Sequence, residues 1–482
     1  IVADGIQVST SGSAASGARA DGGSIDLSDS TLSVNGAATS TTTTAVLHAL
    51  NGGQISGSGL TLDSTGNYVG GVRAEGAGSQ VSLAGSTVQV EGAGLVGNPS
   101  AAARAMAGAT VVIDHSELLA KGTYGHGVSV EGAGSSALIS HSNLTTQGAR
   151  SSGVNITAGG AADVRNSSVR VDGTVGPAGV GVLVENAGST LSMRDSDVTT
   201  TQKTSYGIRA LDGAVVDIQG GKVDTAGDYS AGISAAQATI TASDVTVHTS
   251  GNDNAMGVVA DLGATVTLNR GSVTTTGNGS PVASNLTYAH GVVSRNAGAL
   301  LVANGTSVHT TGSQSYGAAV DDGGSMILNN LAVKTEGAAS RGLYAGIGAT
   351  KPGAVSLIGN NISVETLGSN AAGAFVSRKL KDESAELVLN NSSVVTHGAL
   401  SHGLQAESGA TLSANHSVVS SEGEGAHGAL ANSQGTQMNL DQVAVSASGD
   451  NAHGALVKNG AQLQGSQVQL SASGGHSAAV AT

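Results

Sequence analysis

Histidines recur at a regular spacing near the end of this 482-residue chain. Four of them lie about 25 residues apart, and each precedes a small residue that recurs with the same period. They are His402, His427, His453 and His476. If successive repeats stack as strands, neighbouring imidazoles lie about 5 Å apart. Such a row could bind metal ions or respond to pH.

Other side chains occupy the same slot elsewhere in the chain. They are His126, Tyr206, Met256, His290, Tyr316 and Arg341. Because tyrosine, methionine and arginine share the slot, we favour a structural interpretation, a stack of flat or long side chains at a turn. Like charges in a row repel each other, so we expect mild acid to loosen the C-terminal repeats slightly.

Acidic side chains also recur at one position of the repeat, in the turn that follows its first apolar stretch. They are Glu75, Glu131, Glu185, Asp212, Asp261, Asp321, Asp322 and Glu407. Carboxylates on one face could cleave polysaccharides or bind Ca²⁺. Most of them do not follow one another in successive repeats, and no basic residue recurs beside them. We therefore favour solvated turns that keep the chain soluble.

Composition narrows the possible chemistry further. The chain has no cysteine, which excludes disulfides and thiol catalysis. It contains neither G-D-S-G nor G-x-S-x-G, the nucleophile motifs of serine hydrolases. A net charge of −14 without a basic patch argues against nucleic-acid binding, and no apolar run is long enough for a membrane-spanning helix. We predict a non-enzymatic chain with no catalytic residues, no metal and no cofactor.

A repeat of roughly 27 residues organises the whole sequence. Its small residue is glycine at most positions, with weaker matches at Gly17, Ala45, Ala103 and Ser477, which makes about 18 repeats. Each repeat contains three short stretches with period-2 alternation, which indicates strands rather than helices. Aromatic residues make up only 2% of the chain, so any core must be narrow and aliphatic.

These features predict one all-β domain over 1–482, a right-handed parallel β-helix of about 18 coils with three short strands each. A repeat cannot bury its own apolar side, and stacking buries these sides in a continuous column. At about 4.8 Å per coil the rod would be about 85 Å long. Leucine-rich repeats and propellers fit the period and the motifs less well.

Long repeats mark where the chain leaves this frame, and solenoids place such insertions as loops on one face. Two of them, 92–102 and 277–290, follow a third strand, and the second contains Pro281 and Tyr288. Two others, 346–353 and 378–385, follow the first strand of neighbouring repeats and should stand side by side. Six of the nine residues of 378–386 are charged, in a chain that is 11% charged.

The two neighbouring loops supply most of the candidate contact residues. These are Lys351, Pro352, Arg378, Lys379, Leu380, Lys381, Asp382 and Glu383, together with Pro281 and Tyr288. Mixed charge around a central leucine suits a protein partner better than a polyanion. The alternatives are a tolerated loop whose charges serve solubility, and a contact surface on a flat strand face.

The pattern G-x-x-A…G-A-x-V-x-L…S-x-V-x-T-x-G, seen at 257–277, resembles the passenger domains of bacterial autotransporters of the pertactin type. The resemblance covers essentially all 482 residues. It implies a larger precursor with a leader and a C-terminal outer-membrane β-barrel, and a passenger that is displayed on the cell surface or secreted. Within that family the chain is similar to Bordetella passengers, one of which captures the host serpin C1 esterase inhibitor.

The resemblance implies a virulence scaffold, a monomer that captures a soluble host protein for evasion of the complement and contact systems. C1 esterase inhibitor is the candidate partner. An adhesin for host cells or matrix is the alternative, and a polysaccharide-cleaving β-helix enzyme fits less well.

Overall fold

The computed structural model describes residues 1–42, 44–173, 179–279, 288–346, 353–378 and 384–482. These residues form two compact units. The first comprises Ile1–Ile233 with Ala238–Ile240, and the second Ser234–Gln237 with Thr241–Thr482. Strands, turns and bends account for the regular structure of the described residues, and no helix among them has the length and hydropathy needed to cross a membrane. A single domain over 1–482 stays a prediction.

The first unit contains short strands that repeat in threes. They are β1 (Val2–Asp4), β2 (Gln7–Thr10), β3 (Ala18–Asp21), β4 (Ser24–Ser28), β5 (Thr31–Val34), β6 (Thr44–Leu50), β7 (Gln54–Ser58), β8 (Thr61–Ser64), β9 (Val69–Glu75), β10 (Gln80–Ala84), β11 (Thr87–Val90), β12 (Ala103–Met106), β13 (Thr110–Asp114), β14 (Glu117–Ala120), β15 (Val128–Glu131), β16 (Ser136–Ser140), β17 (Asn143–Thr146), β18 (Val154–Thr157), β19 (Ala161–Arg165), β20 (Ser168–Val171), β21 (Val182–Glu185), β22 (Thr190–Arg194), β23 (Asp197–Thr200), β24 (Ile208–Leu211), β25 (Val215–Gln219) and β26 (Lys222–Thr225).

Two strands, β27 (Ile233–Ala236) and β28 (Thr239–Thr249), contain the residues at which the chain passes from one unit to the other. The strands of the second unit are β29 (Val258–Asp261), β30 (Thr265–Thr275), β31 (Val292–Arg295), β32 (Leu300–Thr310), β33 (Ala318–Asp321), β34 (Ser325–Asn329), β35 (Ala332–Thr335), β36 (Leu343–Ala345), β37 (Val355–Asn360), β38 (Ser363–Thr366), β39 (Ala374–Ser377), β40 (Ala385–Asn390), β41 (Ser393–Thr396), β42 (Leu404–Glu407), β43 (Thr411–Asn415), β44 (Val418–Ser421), β45 (Ala429–Asn432), β46 (Gln437–Asp441), β47 (Ala444–Ala447), β48 (Ala455–Lys458), β49 (Gln462–Ser466), β50 (Gln469–Ala472) and β51 (Val480–Ala481).

Within each unit the strands pair in parallel with the equivalent strands of the next turn. In the first unit β12 pairs with β15 and β15 with β18, and in the second β36 pairs with β39 and β39 with β42. The chain makes about 18 turns of a right-handed parallel β-helix, which confirms the predicted fold class. A right-handed crossover is the hand expected where parallel strands of one sheet follow each other.

The alternation of side chains along the strands builds the core. In the second unit an inward column runs through Leu301, Met326, Leu357, Leu387 and Leu412, which face one another in successive strand pairs. All five are at most 1% exposed. Aliphatic stacking of this kind fills a narrow interior without large aromatic side chains, in agreement with the composition.

In three turns the second and third strands join into one strand of 11 residues, which differs locally from the predicted three short strands. The residues at the joint have a positive φ: Asp244 at 57°, Arg270 at 50° and Gly305 at 62°. A left-handed residue there turns the chain while pairing continues on both sides, as a β-bulge does. The joint therefore bends the strand without ending it.

A glycine ends most repeats, and the space around it explains why. A Cβ atom at Gly148 would lie 1.8 Å from the carbonyl oxygen of Gly122, one turn earlier. The same approach, at about 1.9 Å, recurs at Gly312, Gly368 and Gly423. Backbones of successive turns thus touch directly at this position, and only glycine fits.

An asparagine ladder joins the second-strand ends of six successive turns. From the second member onward, each side-chain amide donates to the Oδ1 of the asparagine one turn earlier at 2.8–2.9 Å. Its members are Asn269, Asn304, Asn329, Asn360, Asn390 and Asn415. Serines at the neighbouring turn position accept backbone N–H groups in both units, as Ser142 Oγ does from Ser116 at 3.0 Å and Ser417 Oγ from Ser392 at 3.1 Å. Both devices pair polar groups that the turns would otherwise bury alone.

Candidate functional site

Five aromatic rings of the second unit stack in a row that we call the ring stack. It consists of Tyr288, His290, Tyr316, Tyr344 and Phe375. The successive ring centroids are 4.7, 4.4, 5.0 and 5.7 Å apart. These separations lie in the range that favours offset or tilted aromatic pairs. In a chain that is 2% aromatic, this is a concentration of flat side chains.

The repeat positions these rings from two places. His290 and Tyr316 occupy the slot before the recurrent glycine, whereas Tyr344 and Phe375 point outward from β36 and β39. Tyr344 and Phe375 face each other directly in the parallel pair of these strands. Because strand neighbours lie about 4.8 Å apart, a ring on one strand necessarily stacks on the ring of the next.

Arg341 lies beside the ring stack. Its guanidinium carbon is 3.8 Å from the centre of the Phe375 ring and 5.2 Å from that of Tyr344. Its Nη1 donates a hydrogen bond of 3.0 Å to the hydroxyl of Tyr316. A cation over aromatic faces is stabilised by the ring quadrupoles, more so where water is excluded.

Apart from this cation the ring stack is electrically neutral at ordinary pH. Burial raises the pKa of Tyr288 to about 12, and burial also raises the pKa of Tyr316 and Tyr344. Burial, followed by the charges of Arg341 and Arg295, lowers the pKa of His290 to about 3. The phenols therefore stay protonated donors while the imidazole stays neutral.

Three segments that lie outside the described residues are close to the ring stack in the sequence. Residues 280–287 precede Tyr288, residues 347–352 follow β36, and residues 379–383 follow β39. The strands before the last two segments are direct neighbours, since Ala345 pairs with Val376. The prediction that both insertions leave from adjacent first strands is confirmed for the described strands.

Two of the ten predicted contact residues lie within the described residues. Tyr288 is the first ring of the stack, and its backbone N–H donates to Asn254 Oδ1 at 3.1 Å. Arg378 lies at the end of β39, where its Nε donates to the carbonyl oxygen of Ser408, in a turn of the following coil, at 3.2 Å. The other eight, Lys351, Pro352, Lys379, Leu380, Lys381, Asp382, Glu383 and Pro281, lie outside the described residues.

The histidine slot proves to be a hydrogen-bonding position. His402 and His427 stack at 4.9 Å, and His427 and His453 at 5.1 Å. Each Nδ1 accepts the backbone N–H of the residue in the same slot one turn later, at 3.0 Å. His126 and His290 accept in the same way, at 2.9 and 2.8 Å. An Nδ1 that accepts such a bond must be unprotonated, so the proton of each neutral ring is on Nε2.

The predicted row of four histidines is wrong at its last member. Ala478, not His476, occupies the slot after His453, because it is the Ala478 N–H that bonds to His453 Nδ1. His476 lies in the preceding turn with φ 55°, the position that Asn451 holds with φ 57° one turn earlier. The small residue of this last repeat is accordingly Ala479 rather than Ser477, and the two-residue shift misplaced the histidine.

Arginines do recur beside the acidic turns, contrary to the sequence-based prediction. Arg73 bonds to Glu75 at 3.0 Å, Arg104 to Glu131 at 2.6 Å, and Arg295 to Asp261 at 2.9 Å. Arg73 is 5% and Arg104 4% exposed. In the sequence the arginine of Arg73–Glu75 lies two residues before its acid, whereas the other two arginines lie one whole turn away from theirs. These acids therefore belong to structural ion pairs on the strand surface.

Comparison with known proteins gives a similarity of fold to a solved structure. No family model and no curated protein sequence matches the chain. A chain in the cryo-EM structure of the Vag8–C1 inhibitor complex has a similar fold, with a TM-score of 0.62. The match covers 100% of both chains at 16% sequence identity. The similarity thus spans the full length of both chains, and the structure in which the neighbour occurs is that of a complex with C1 inhibitor.

Proposed function

We propose that this chain is a non-enzymatic scaffold, displayed on or released from a bacterial surface, that captures a soluble host protein. The serpin C1 inhibitor is the concrete candidate, and interference with the complement and contact systems is the expected consequence. The observation that carries the proposal is the full-length fold similarity to a chain found in the Vag8–C1 inhibitor complex.

The second unit offers the stronger contact surface on physical grounds. Arg341 and the ring stack supply arginine and tyrosine, the residue types that are enriched at protein-binding hot spots. The rings already pack against one another, so little side-chain entropy is lost when a partner covers them. The charged residues 379–383 follow Arg378 in the sequence, and charged side chains of this kind are typical of the polar rim of a protein interface.

Direct binding to purified C1 inhibitor tests the proposal. Biolayer interferometry should show saturable binding by the immobilised chain, and a pull-down from human plasma should retain the same protein. Absence of C1 inhibitor from both experiments overturns the choice of partner. Retention of host cells or matrix without any plasma protein would favour the adhesin interpretation instead.

A charge-removal variant tests the proposed surface. The triple substitution Arg378→Ala, Lys379→Ala and Lys381→Ala should weaken binding at least tenfold, about 1.4 kcal/mol. Its matched control removes three exposed arginines of the first unit through Arg165→Ala, Arg170→Ala and Arg194→Ala. The control should bind as the parent does. Equal affinities of parent and triple variant, with unchanged circular dichroism, would exclude this segment as the contact site.

A further inference from the structure

A second cluster of reactive side chains lies in the first unit, at the end of β13 and β16. Asp114 ends β13, and His115 and His141 follow these two strands directly. Asp114 pairs with Ser140 in the parallel register, so the two histidines occupy the same turn in successive coils. Their rings stack at 4.6 Å with an angle of 15° between the planes.

The backbone holds both histidines in one unusual conformation. Their φ angles are 46° and 48°, in the left-handed region. In neighbouring turns this position is taken by Gly85, by Asn166 at 47° and by Asp195 at 45°. Residues other than glycine adopt the left-handed region rarely, and asparagine, aspartate and histidine do so more often than the others. The shared turn conformation places the two imidazoles one above the other in successive coils.

The carboxylate of Asp114 connects the two rings. Its Oδ2 lies 2.9 Å from His115 Nδ1, and its Oδ1 lies 3.5 Å from His141 Nδ1. The hydroxyl of Ser140 donates to Oδ1 at 2.7 Å, which fixes the orientation of the carboxylate. Metal-binding carboxylates in proteins are characteristically oriented by a hydrogen bond of this kind.

We propose that Asp114, His115 and His141 form a binding site for a divalent transition-metal ion of the Zn²⁺ class. One ligand atom from each residue lies within 4.8 Å of the others, and this is the only such group of three among the described residues. Ligand atoms of a tetrahedral zinc site lie roughly 3.4 Å apart, given metal–ligand bonds of about 2.1 Å. The side chains of His115 and His141 are 65% and 50% exposed, so small ring rotations can bring the donors to that spacing.

The donor set selects the class of ion. Two imidazole nitrogens and one carboxylate oxygen suit Zn²⁺, Co²⁺, Ni²⁺ and Cu²⁺, whereas Ca²⁺ and Mg²⁺ prefer oxygen ligands alone. Three protein ligands leave a fourth position open, which water or a side chain of another molecule can fill. The site lies on the first unit and does not depend on the proposed host-protein contact on the second.

Zn²⁺ titration of the tag-free, chelator-treated full chain at pH 7.5 tests the site. Isothermal titration calorimetry should show one equivalent bound in the micromolar range, and millimolar Mg²⁺ should not displace it. His115→Asn and His141→Asn should each weaken this binding at least tenfold. Asparagine is the residue that the next coil uses in the same turn, so both variants keep the backbone conformation.

His416 provides the matched control. It has φ 49° in the equivalent turn of the second unit, where the adjacent coils carry Asn391 and Gln442 instead of a second histidine. His416→Asn should bind Zn²⁺ as the parent does. The proposal is overturned if the parent binds no equivalent of Zn²⁺, or if the double variant His115→Asn/His141→Asn retains it.

Discussion

Acid should destabilise this fold through its buried histidines well before its carboxylates titrate. His126 and His290 are 8% and 2% exposed, and each accepts a backbone N–H at Nδ1. Burial is the main cause that lowers the pKa of His126 to about 4 and that of His290 to about 3. The charge of Arg104 lowers the pKa of His126 further, and the charges of Arg341 and Arg295 lower that of His290 further.

The sign and size of the effect follow from proton linkage. An unfolded histidine has a pKa near 6.5, so below that pH the unfolded chain binds protons that the native chain does not. The histidine contribution to stability is complete above pH 6.5 and declines until the pH reaches the native pKa, near 4 or 3. At pH 5 the loss is about 1.5 pKa units at 1.36 kcal/mol each, or about 2 kcal/mol for each histidine.

Asparagine substitutions isolate this contribution. In His126→Asn and His290→Asn the Oδ1 takes the place of Nδ1 as acceptor but does not titrate. The free energy of unfolding is measured by urea titration, followed by far-UV circular dichroism, at pH 7.5 and at pH 5. The decrease between these two pH values should be about 2 kcal/mol smaller in each variant than in the parent. Hydrogen exchange of the Ser152 and Tyr316 amides measures the same effect locally.

Carboxylates with a lowered pKa contribute little to the change in stability between pH 7.5 and pH 5. Hydrogen bonds from Asn51, Ser140 and Arg270 are the first causes that lower the pKa of Asp21, Asp114 and Asp244, so these groups titrate below the pH window used. Burial lowers the pKa of His402 to about 3 and that of His427 to about 4. Both histidines should therefore add to the loss of stability at pH 5 in the C-terminal coils. The same dependence on pH in the parent and in both asparagine variants would refute the reasoning.

Two packing predictions concern the turns. Asn329→Ala removes two hydrogen bonds of the asparagine ladder and should cost about 1–3 kcal/mol in urea unfolding, whereas Asn439→Ala, which loses only one contact of 3.5 Å, should cost less than half of that. An equal cost for both would show that the ladder adds nothing. Gly148→Ala places a methyl group 1.8 Å from the Gly122 oxygen and should abolish the native circular dichroism spectrum or lower the midpoint of unfolding strongly. In Gly97→Ala the added Cβ has nothing within 4 Å, so the spectrum and the midpoint should stay unchanged. A Gly148→Ala variant that folds as the parent does would contradict the proposed backbone contact.

The repeat period made the fold predictable. Alternation in stretches such as Val216-Asp217-Ile218 indicates strands directly, and a recurrent glycine gives the length of each turn. The period also located the insertions after β36 and β39, because extra residues stand out in a regular frame. The sequence was therefore sufficient to predict the fold class and the pairing of β36 with β39, the two strands that precede the insertions.

The partners of individual side chains were harder to predict from the sequence, because they depend on the register between turns. The row of asparagines at 304, 329 and 360 is visible in the sequence, yet only the pairing of second strands shows that they bond to each other. The link between Arg104 and Glu131 spans a whole turn and carries no local signal. For His476 a shift of two residues in the frame was enough to place the side chain in the wrong turn.

The touching backbones at the repeat-ending glycines also bear on how such a chain can change in length. A duplication or deletion with both ends at this glycine adds or removes one complete turn, and the new neighbours again present glycine to glycine. Extra residues elsewhere must return to the same point before the next turn starts, so they become loops. Recombination between repeats can thus change the number of turns while the interior stays packed. The length of this chain can therefore change by whole coils more readily than by single residues.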